Sequence, residues 1–382
     1  MKLLNKAPHV IDKEDIQELI DAKVIENKRI EYKKELPGLA EKDKVEFGRD
    51  VSSFANASGG YIIFGIESNT AGEPIRFNPL IVNADQEILR IESMIRSKIE
   101  PRIPGVVTVP INLEEGYLIV IYIPKSWVSP HVMKINNERF EFYSRTSNGK
   151  YPLDYNEIRS NFLAAERTFD RIRDFRTARI GNIISDEMPI ALEDNPKIVL
   201  HNIPISAYNH LGNVVDLSPL PQNTNYLEPI DGGISGLRYN FDGYLTFYNY
   251  KDKVNNDSYL QVFKDGSIES VNASIIKKGS KHLTINTIER ELVKAVERYI
   301  EINKLLNIQP PFVLMVCLIG VKGYTIMDSA PIDREFLIIP EIIVDSLDKN
   351  IPQAMKPIFD AIWNSTGWAY STNYEDGNWK LK

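Results

Sequence analysis

Residues 26–33 read Glu26-Asn27-Lys28-Arg29-Ile30-Glu31-Tyr32-Lys33. Some thirty residues on come Phe54-Ala55-Asn56-Ala57-Ser58-Gly59-Gly60 and then Gly65-Ile66-Glu67. The polar–apolar alternation over 29–33 predicts a half-exposed strand. After Pro37-Gly38 a helix is expected over 41–57, with Phe47, Val51, Phe54 and Ala55 on one face and Lys42, Lys44 and Arg49 off it. Gly59-Gly60 ends that helix and permits an immediate reversal. The reversal leads into Tyr61–Ile66, apolar on both faces and therefore a central buried strand. Strand, helix and buried strand in succession define an α/β beginning.

Working outward, Asp12 is placed to cap a helix over 12–22, with Asp15 reaching back. A further amphipathic helix spans 84–98 and is stopped by Pro101 and Pro104. Strands are expected at 105–109, 117–123 and 139–143, the last ending in a loop over 144–150. An arginine-rich helix over 155–180 closes this half. Residues 181–197, rich in Asp, Glu and Pro, read as an acidic linker. Beyond it come a strand at 198–203, a meander over 236–250 and 259–271, a helix at 287–306, a buried strand at 312–321 and a helix at 352–363. The fold class is α/β (α+β): a mixed-sheet domain at 1–180 and a second, α+β domain at 198–382.

The chain has 382 residues, enough for about two domains. No apolar run approaches the roughly 18 residues of a membrane span, and the N-terminus lacks the apolar core of a secretion signal. Cys317 is the sole cysteine, so no intrachain disulfide forms. Together these features lead us to expect a cytoplasmic protein without a membrane partner. The five histidines, at 9, 131, 201, 210 and 282, never fall at metal-ligand spacing, which argues against zinc. A net charge of -7 argues against a nucleic-acid partner only as an average. Residues 1–180 carry 27 Lys and Arg against 27 Asp and Glu, so the whole excess of acid belongs to the second half.

The blocks quoted first resemble the Schlafen-type AlbA-like domain family. Its members carry E-S-x-x-x-E-[FY]-K, a helix ending in F-A-N-x-x-G-G, and an apolar strand ending in G-[IV]-x-[DE]. A fourth block lies in Pro124-Lys-Ser-Trp-Val-Ser-Pro-His131 and Phe142-Tyr143-Ser144-Arg145. The resemblance covers residues 20–165. It implies a Schlafen-like mixed sheet and a metal-dependent endoribonuclease acting on structured RNA such as tRNA, with Glu26, Glu31 and Glu67 as catalytic, metal-ligating residues. Asn27 departs from the family's Ser, and Glu67 stands where nuclease members often have Asp. A defence or toxin-like role follows from family association alone.

Residues 26 and 31 face opposite sides of a straight strand, so their carboxylates meet only if the chain bends, with Asn27-Lys28 the place for it. Three carboxylates brought together would hold Mg²⁺ or Mn²⁺ through oxygen. Lys33, on the face of Glu31, would then meet the scissile phosphate. Lys28, Lys34, Asn56, Tyr143, Arg145 and Arg171 are the candidate nucleic-acid contacts, for RNA or DNA. Each has a plainer reading: solvated ion pairs for the charged groups, and backbone satisfaction at a helix end for Asn56. His131 reads as structural before catalytic. The arginine helix is partly self-neutralised by Glu166, Asp170 and Asp174, yet could wall a nucleic-acid groove.

Asn148-Gly149-Lys150 lacks the preceding glycine and following Ser/Thr of a phosphate loop, which removes a conventional ATPase. In the second half, Tyr244, Phe247, Tyr248, Tyr250, Tyr259 and Phe263 read as core and cross-strand aromatics. That domain is expected to sense a protein or small ligand. The alternatives to a nuclease are a non-catalytic DNA- or RNA-binding regulator and a nucleotide-sensing scaffold. Pairing with a second copy is left open.

Overall fold

The computed structural model describes residues 6, 8–126, 128–136, 138–208, 214–251, 254–347, 349–375 and 377–381. Trp127, His210 and the side chain of His9 lie outside the described residues. The chain divides into two compact units, Met1–Arg167 and Thr168–Lys382.

The N-terminal unit begins with α1 (Lys13–Asp21). Asp12 accepts from the Asp15 amide at 3.0 Å, and the Asp15 carboxylate accepts from the Asp12 amide at 3.1 Å, the reciprocal cap its sequence predicts. Then follow β1 (Ile30–Lys33), α2 (Glu41–Asn56), β2 (Gly60–Phe64), β3 (Ile66–Ser68), β4 (Pro74–Phe77) and α3 (Ala84–Lys98). The unit continues with β5 (Ile99–Glu100), β6 (Val107–Asn112), β7 (Tyr117–Ile123), β8 (Val132–Lys134), β9 (Phe140–Thr146) and β10 (Gly149–Pro152). The main sheet has the order β1-β2-β7-β6, with β1 parallel to β2 and the other pairs antiparallel. This is the mixed sheet expected.

One face of the sheet packs Ile62, Phe64, Ile119 and Ile121 against Phe47, Val51 and Phe54 of α2 and Ile91 of α3. The other buries Tyr32, Tyr61, Ile63 and Val120 with Ile16 and Leu19 of α1. A second sheet, β10-β9-β8-β5, packs on α2. The α2–β2 junction needs its glycines. Gly59 has φ 65°, and a Cβ there would lie 2.4 Å from the Lys125 amide nitrogen; one on Gly60 would lie 2.3 Å from the Arg29 carbonyl oxygen.

Two local expectations change. Gly65 has φ 89° and breaks the apolar run, so Ile66–Ser68 leaves the main sheet and pairs with β4. Residues 144–150 are a hairpin rather than a loop: β9 continues to Thr146 and β10 pairs back on it, Gly149 opposite Thr146 and Lys150 opposite Arg145.

In the C-terminal unit lies the end of α4 (Tyr155–Ile184), the helix within which the division between units falls. There follow β11 (Lys197–Pro204), β12 (Gly236–Tyr239), β13 (Gly243–Tyr248), β14 (Ser258–Phe263), β15 (Ile268–Asn272), α5 (Ile285–Leu305) and β16 (Phe312–Ile319). The unit ends with β17 (Phe336–Ile338), β18 (Ile342–Val344), α6 (Ile351–Asn364), β19 (Tyr374–Glu375) and β20 (Asn378–Trp379). An antiparallel sheet runs β12-β13-β14-β15-β11-β16-β17, with β18 also on β16. α5 and α6 cover one face through Leu292, Val296, Tyr299, Phe359 and Trp363. Ile180 and Ile183 of α4 join Val199, Tyr259, Val271 and Cys317 on the other, and Leu192 is buried with them. The stretch expected as a linker therefore contributes to a core. Among the meander aromatics Tyr244 and Tyr259 are buried and Tyr250 is exposed.

The four α4 arginines that fall in this unit are engaged within it. Arg173 and Arg176 pair with Glu341, at 2.6 and 3.5 Å, and Arg171 donates to the Tyr208 carbonyl at 3.2 Å. Arg179 grips the fully buried Glu269 with two bonds, at 2.9 and 2.7 Å. Glu269 also meets His201 Nε2 at 2.9 Å and accepts from the Tyr259 hydroxyl at 2.7 Å. Carboxylates thus take up cations that the sequence offered as a groove wall. Among the described residues no helix is long and apolar enough to cross a membrane.

Candidate active site in the N-terminal unit

β1 sets Glu31 and Lys33 on one side of the sheet because side chains two apart share a face. Lys33 Nζ lies 2.8 Å from Glu31 Oε1 and 3.3 Å from Asp50 Oδ2. Asp50 comes from α2, and its other oxygen meets Lys150 Nζ at 2.5 Å; Lys150 also pairs with Glu46. From β9, Arg145 Nη2 reaches Glu31 Oε2 at 2.5 Å while its guanidinium carbon sits 3.7 Å from the centre of the Phe54 ring. Glu31 therefore has a cation on each oxygen, and Lys33 has a carboxylate on each side.

Glu26 joins this cluster through the bend its spacing demands. Asn27 and Ile30 exchange backbone bonds of 3.0 and 3.3 Å, and the Asn27 side chain accepts from the Arg29 amide at 2.9 Å. The chain folds back, and Glu26 Oε1 accepts from the Tyr32 amide at 2.9 Å. The two carboxylates feel opposite environments. For Glu26, burial raises the pKa, the Tyr32 amide opposes it, and the neighbouring Glu31 charge raises it further. For Glu31, burial again raises it, but Lys33 and Arg145 outweigh burial and hold it below the usual range. Burial would discharge Lys33, yet Asp50 and Glu31 prevail and keep it an ammonium.

Glu67 is placed elsewhere, in the β3–β4 hairpin. Its oxygens accept from Lys34 Nζ at 2.8 Å and from Arg76 Nε at 2.8 Å, and these bonds lower its pKa. Among the described residues no three His, Cys, Asp or Glu side chains gather so as to hold a metal ion. The residues as arranged do not fit the Mg²⁺ or Mn²⁺ expected of Glu26, Glu31 and Glu67, since the oxygens of Glu31 and Glu67 are taken by lysine and arginine.

The remaining candidates divide by exposure. Lys28 and Lys34 are exposed, and Lys34 pairs with Glu67. Arg145, weighed as a phosphate contact against a salt bridge, has a side chain only 2% exposed and pairs with Glu31. Its Nε and Nη1 are buried without hydrogen-bond partners. Asn56 is wholly used by backbone: its amide donates to the His131 and Tyr143 carbonyls, both at 2.8 Å, and its oxygen accepts from the His131 amide at 2.6 Å. Tyr143 is half-buried beneath the Arg49 guanidinium. His131 is buried, its pKa pushed by burial down to about 4, with Nδ1 on the Pro101 carbonyl at 2.7 Å. Arg171 belongs to the other unit. Replacing Asn56 with Ala removes three bonds that tie α2 to His131, just before β8, and to Tyr143 of β9, and should lower stability by about 2 kcal/mol in urea unfolding.

Asp50, Glu46 and Lys150 escaped sequence reasoning. Asp50 alone carried a signal: it sits on the apolar stripe of α2 beside Phe47 and Phe54, where an acid must find a buried partner.

Residues 26–154 match the family described as Schlafen, AlbA_2. Among solved structures, the DIP2311 protein of Corynebacterium diphtheriae shares 16% identity at a TM-score of 0.26. That alignment covers 36% of this chain and 26% of the other, so it spans about a quarter of the relative's length. The N-terminal domain of a Nitrosomonas europaea protein described as ATP-dependent DNA helicase RecG-related shares 20% identity at a TM-score of 0.24. Here the coverage is 30% of this chain and 74% of the other. Neither likeness carries weight for what this chain does. No curated protein matches it.

Proposed function

We propose that the N-terminal unit processes nucleic acid and is an endoribonuclease for structured RNA such as tRNA. The observation that carries this reading is the Glu26–Glu31 pair, whose pKa values are displaced in opposite directions, beside a charged, one-third-exposed Lys33. The Schlafen AlbA_2 match, which begins on Glu26, supports it. The ionised Glu31 takes the proton of a ribose 2′-hydroxyl, and the 2′-oxygen attacks the adjacent phosphorus. Lys33 stabilises the charge gathering on the phosphoryl oxygens. Glu26 delivers its proton to the departing 5′-oxygen, leaving a 2′,3′-cyclic phosphate and a 5′-hydroxyl. DNA, which has no 2′-hydroxyl, would bind uncut. Arg145 and Asp50 act by holding Glu31 and Lys33. The C-terminal unit would sense or restrain this activity, and a cytoplasmic defence role stands on family association.

A second reading, a nucleic-acid-binding regulator without catalysis, is favoured by the two cations that neutralise Glu31. The full chain incubated with tRNA in EDTA, Mg²⁺ or Mn²⁺ separates them. Cleavage is expected in EDTA, with Lys33→Ala slowing it about 10²-fold or more and Glu31→Gln comparably. The rate should fall as pH rises through the raised Glu26 value and as it drops through the lowered Glu31 value. Binding without cutting in every condition would establish the regulator. Cleavage confined to the metal arms would replace acid–base catalysis with the metal-dependent kind.

A further inference from the structure

The N-terminal half of α4 carries an apolar stripe largely open to solvent. Tyr155, Ile158, Phe162, Ala165 and Phe169 recur at alternating steps of three and four residues. That is the spacing of the contact line between two helices, narrower than the face of a helix lying on a sheet. Tyr155 is 76% exposed and Phe162 53%, while Ile158, Ala165 and Phe169 are half-buried. The buried residues of the helix, Ile172, Ile180 and Ile183, all lie further along it. Beside the stripe, Phe142 of β9 meets the Phe162 ring edge-on at 6.2 Å. Phe140, on the same face of β9 as Phe142, is exposed as well.

A helix that only bridges through water is polar all round, whereas this line of aromatic and aliphatic groups calls for a second helix to bury it. Two flanking residues say which helix. Arg159 follows Ile158 and Glu166 follows Ala165, so both border the stripe on the same side. Both are exposed, and neither has an ion-pair partner among the described residues. Laid antiparallel on a copy of itself, α4 sets Phe162 opposite Ala165 of the second copy and Ile158 opposite Phe169 of the second copy. The same register brings Arg159 to Glu166 of the second copy, and two-fold symmetry repeats every pairing. Large thus meets small and opposite charges meet at once. A parallel pair would instead stack Phe162 on Phe162 and Ala165 on Ala165, crowding one layer and starving the next.

We propose that α4 is a dimerisation element, through which two copies of this chain pair antiparallel along residues 155–169. The inference is independent of the nuclease reading and uses none of the Glu26–Glu31–Lys33 cluster. The contact line is about 21 Å long. Even with Phe140 and Phe142 at its side, the interface falls at the small end for specific pairing, below about 1,200 Å² in total. Its Kd is therefore expected to be on the order of micromolar, a dimer that forms and parts with concentration.

The test is sedimentation velocity of the full chain from about 0.1 to about 100 μM, a range that brackets the expected Kd. Wild type should pass from monomer to dimer across it, and Phe162→Glu should stay monomeric. Arg159→Glu and Glu166→Arg each set like charges face to face and should weaken pairing about 10-fold or more. An equimolar mixture of these two variants should recover wild-type pairing, because each chain then offers the charge the other lacks. Both positions are exposed, so the urea midpoints of the two charge variants should match wild type. A wild-type chain that stays monomeric throughout would overturn the proposal and leave the stripe to a helix of another protein. A dimer indifferent to all three substitutions would overturn it too, by placing the contact elsewhere. Charge variants that weaken pairing without recovering in the mixture would overturn the antiparallel register.

Discussion

Glu269→Ala should cost the C-terminal unit about 3–5 kcal/mol, the range for removing one partner of a buried charge pair. Glu269 is fully buried, and its carboxylate is shared by the Arg179 guanidinium, His201 and the Tyr259 hydroxyl. Truncation strands three polar groups beneath α4 and leaves the Arg179 charge with no carboxylate. Glu269→Gln, which keeps an acceptor but not the charge, should lose less. Urea unfolding followed by tryptophan emission reads this unit, because Trp363, Trp368 and Trp379 lie in it. A loss below about 1 kcal/mol for Glu269→Ala would show the cluster to be dispensable.

The same carboxylate makes stability depend on pH in a definite direction. Burial raises its pKa, but the bonds from His201 and Arg179 outweigh burial and hold it at about 2. A group whose pKa is lower folded than unfolded binds fewer protons in the native state. Its contribution is therefore complete above the ordinary carboxylate range and is lost as pH falls from there toward 2. Acid unfolding of wild type should be steep in that window and shallower in Glu269→Gln.

Arg145→Ala should destabilise the N-terminal unit by about 3 kcal/mol or more. Its guanidinium lies over Phe54 and holds Glu31 at 2.5 Å from a side chain 2% exposed, so truncation opens space against α2 and removes one of the two cations that lower the Glu31 pKa. Arg145→Lys should not restore stability, because an ammonium cannot stack flat on the ring while bonding the carboxylate. Hydrogen exchange of β2 and β7 amides measures this without interference from the other unit. An Arg145→Ala protein of wild-type stability that had lost RNA affinity would instead return Arg145 to the role of a surface contact.

Much of this architecture was legible in the chain. The Asp12–Asp15 cap, the apolar stripe of α2, the double glycine and the buried strand after it are local patterns, and local sterics and burial suffice to read them. The bend at Asn27 was legible too, because an odd spacing of two residues destined for one site requires it. The hairpin at 144–152 did carry a turn signal, Asn148-Gly149, and was missed because that dipeptide also suits a loop; the break at Gly65 was missed because an apolar run continues through it.

Sequence alone determined a mixed α/β first half and an α+β second half, a neutral first half with the acidic excess in the second, and Glu31 and Lys33 on one face of a strand. Only the tertiary structure decided which charges meet. It drew Glu67 away to Lys34 and Arg76, buried Arg145 against Phe54, and spent the α4 arginines on Glu269 and Glu341. It also brought Asp50 and Lys150, 100 residues apart, into contact. The reason is physical. Hydrophobic period is written along the chain, whereas a charge chooses its partner by desolvation and distance in space, and those exist only once the chain has folded.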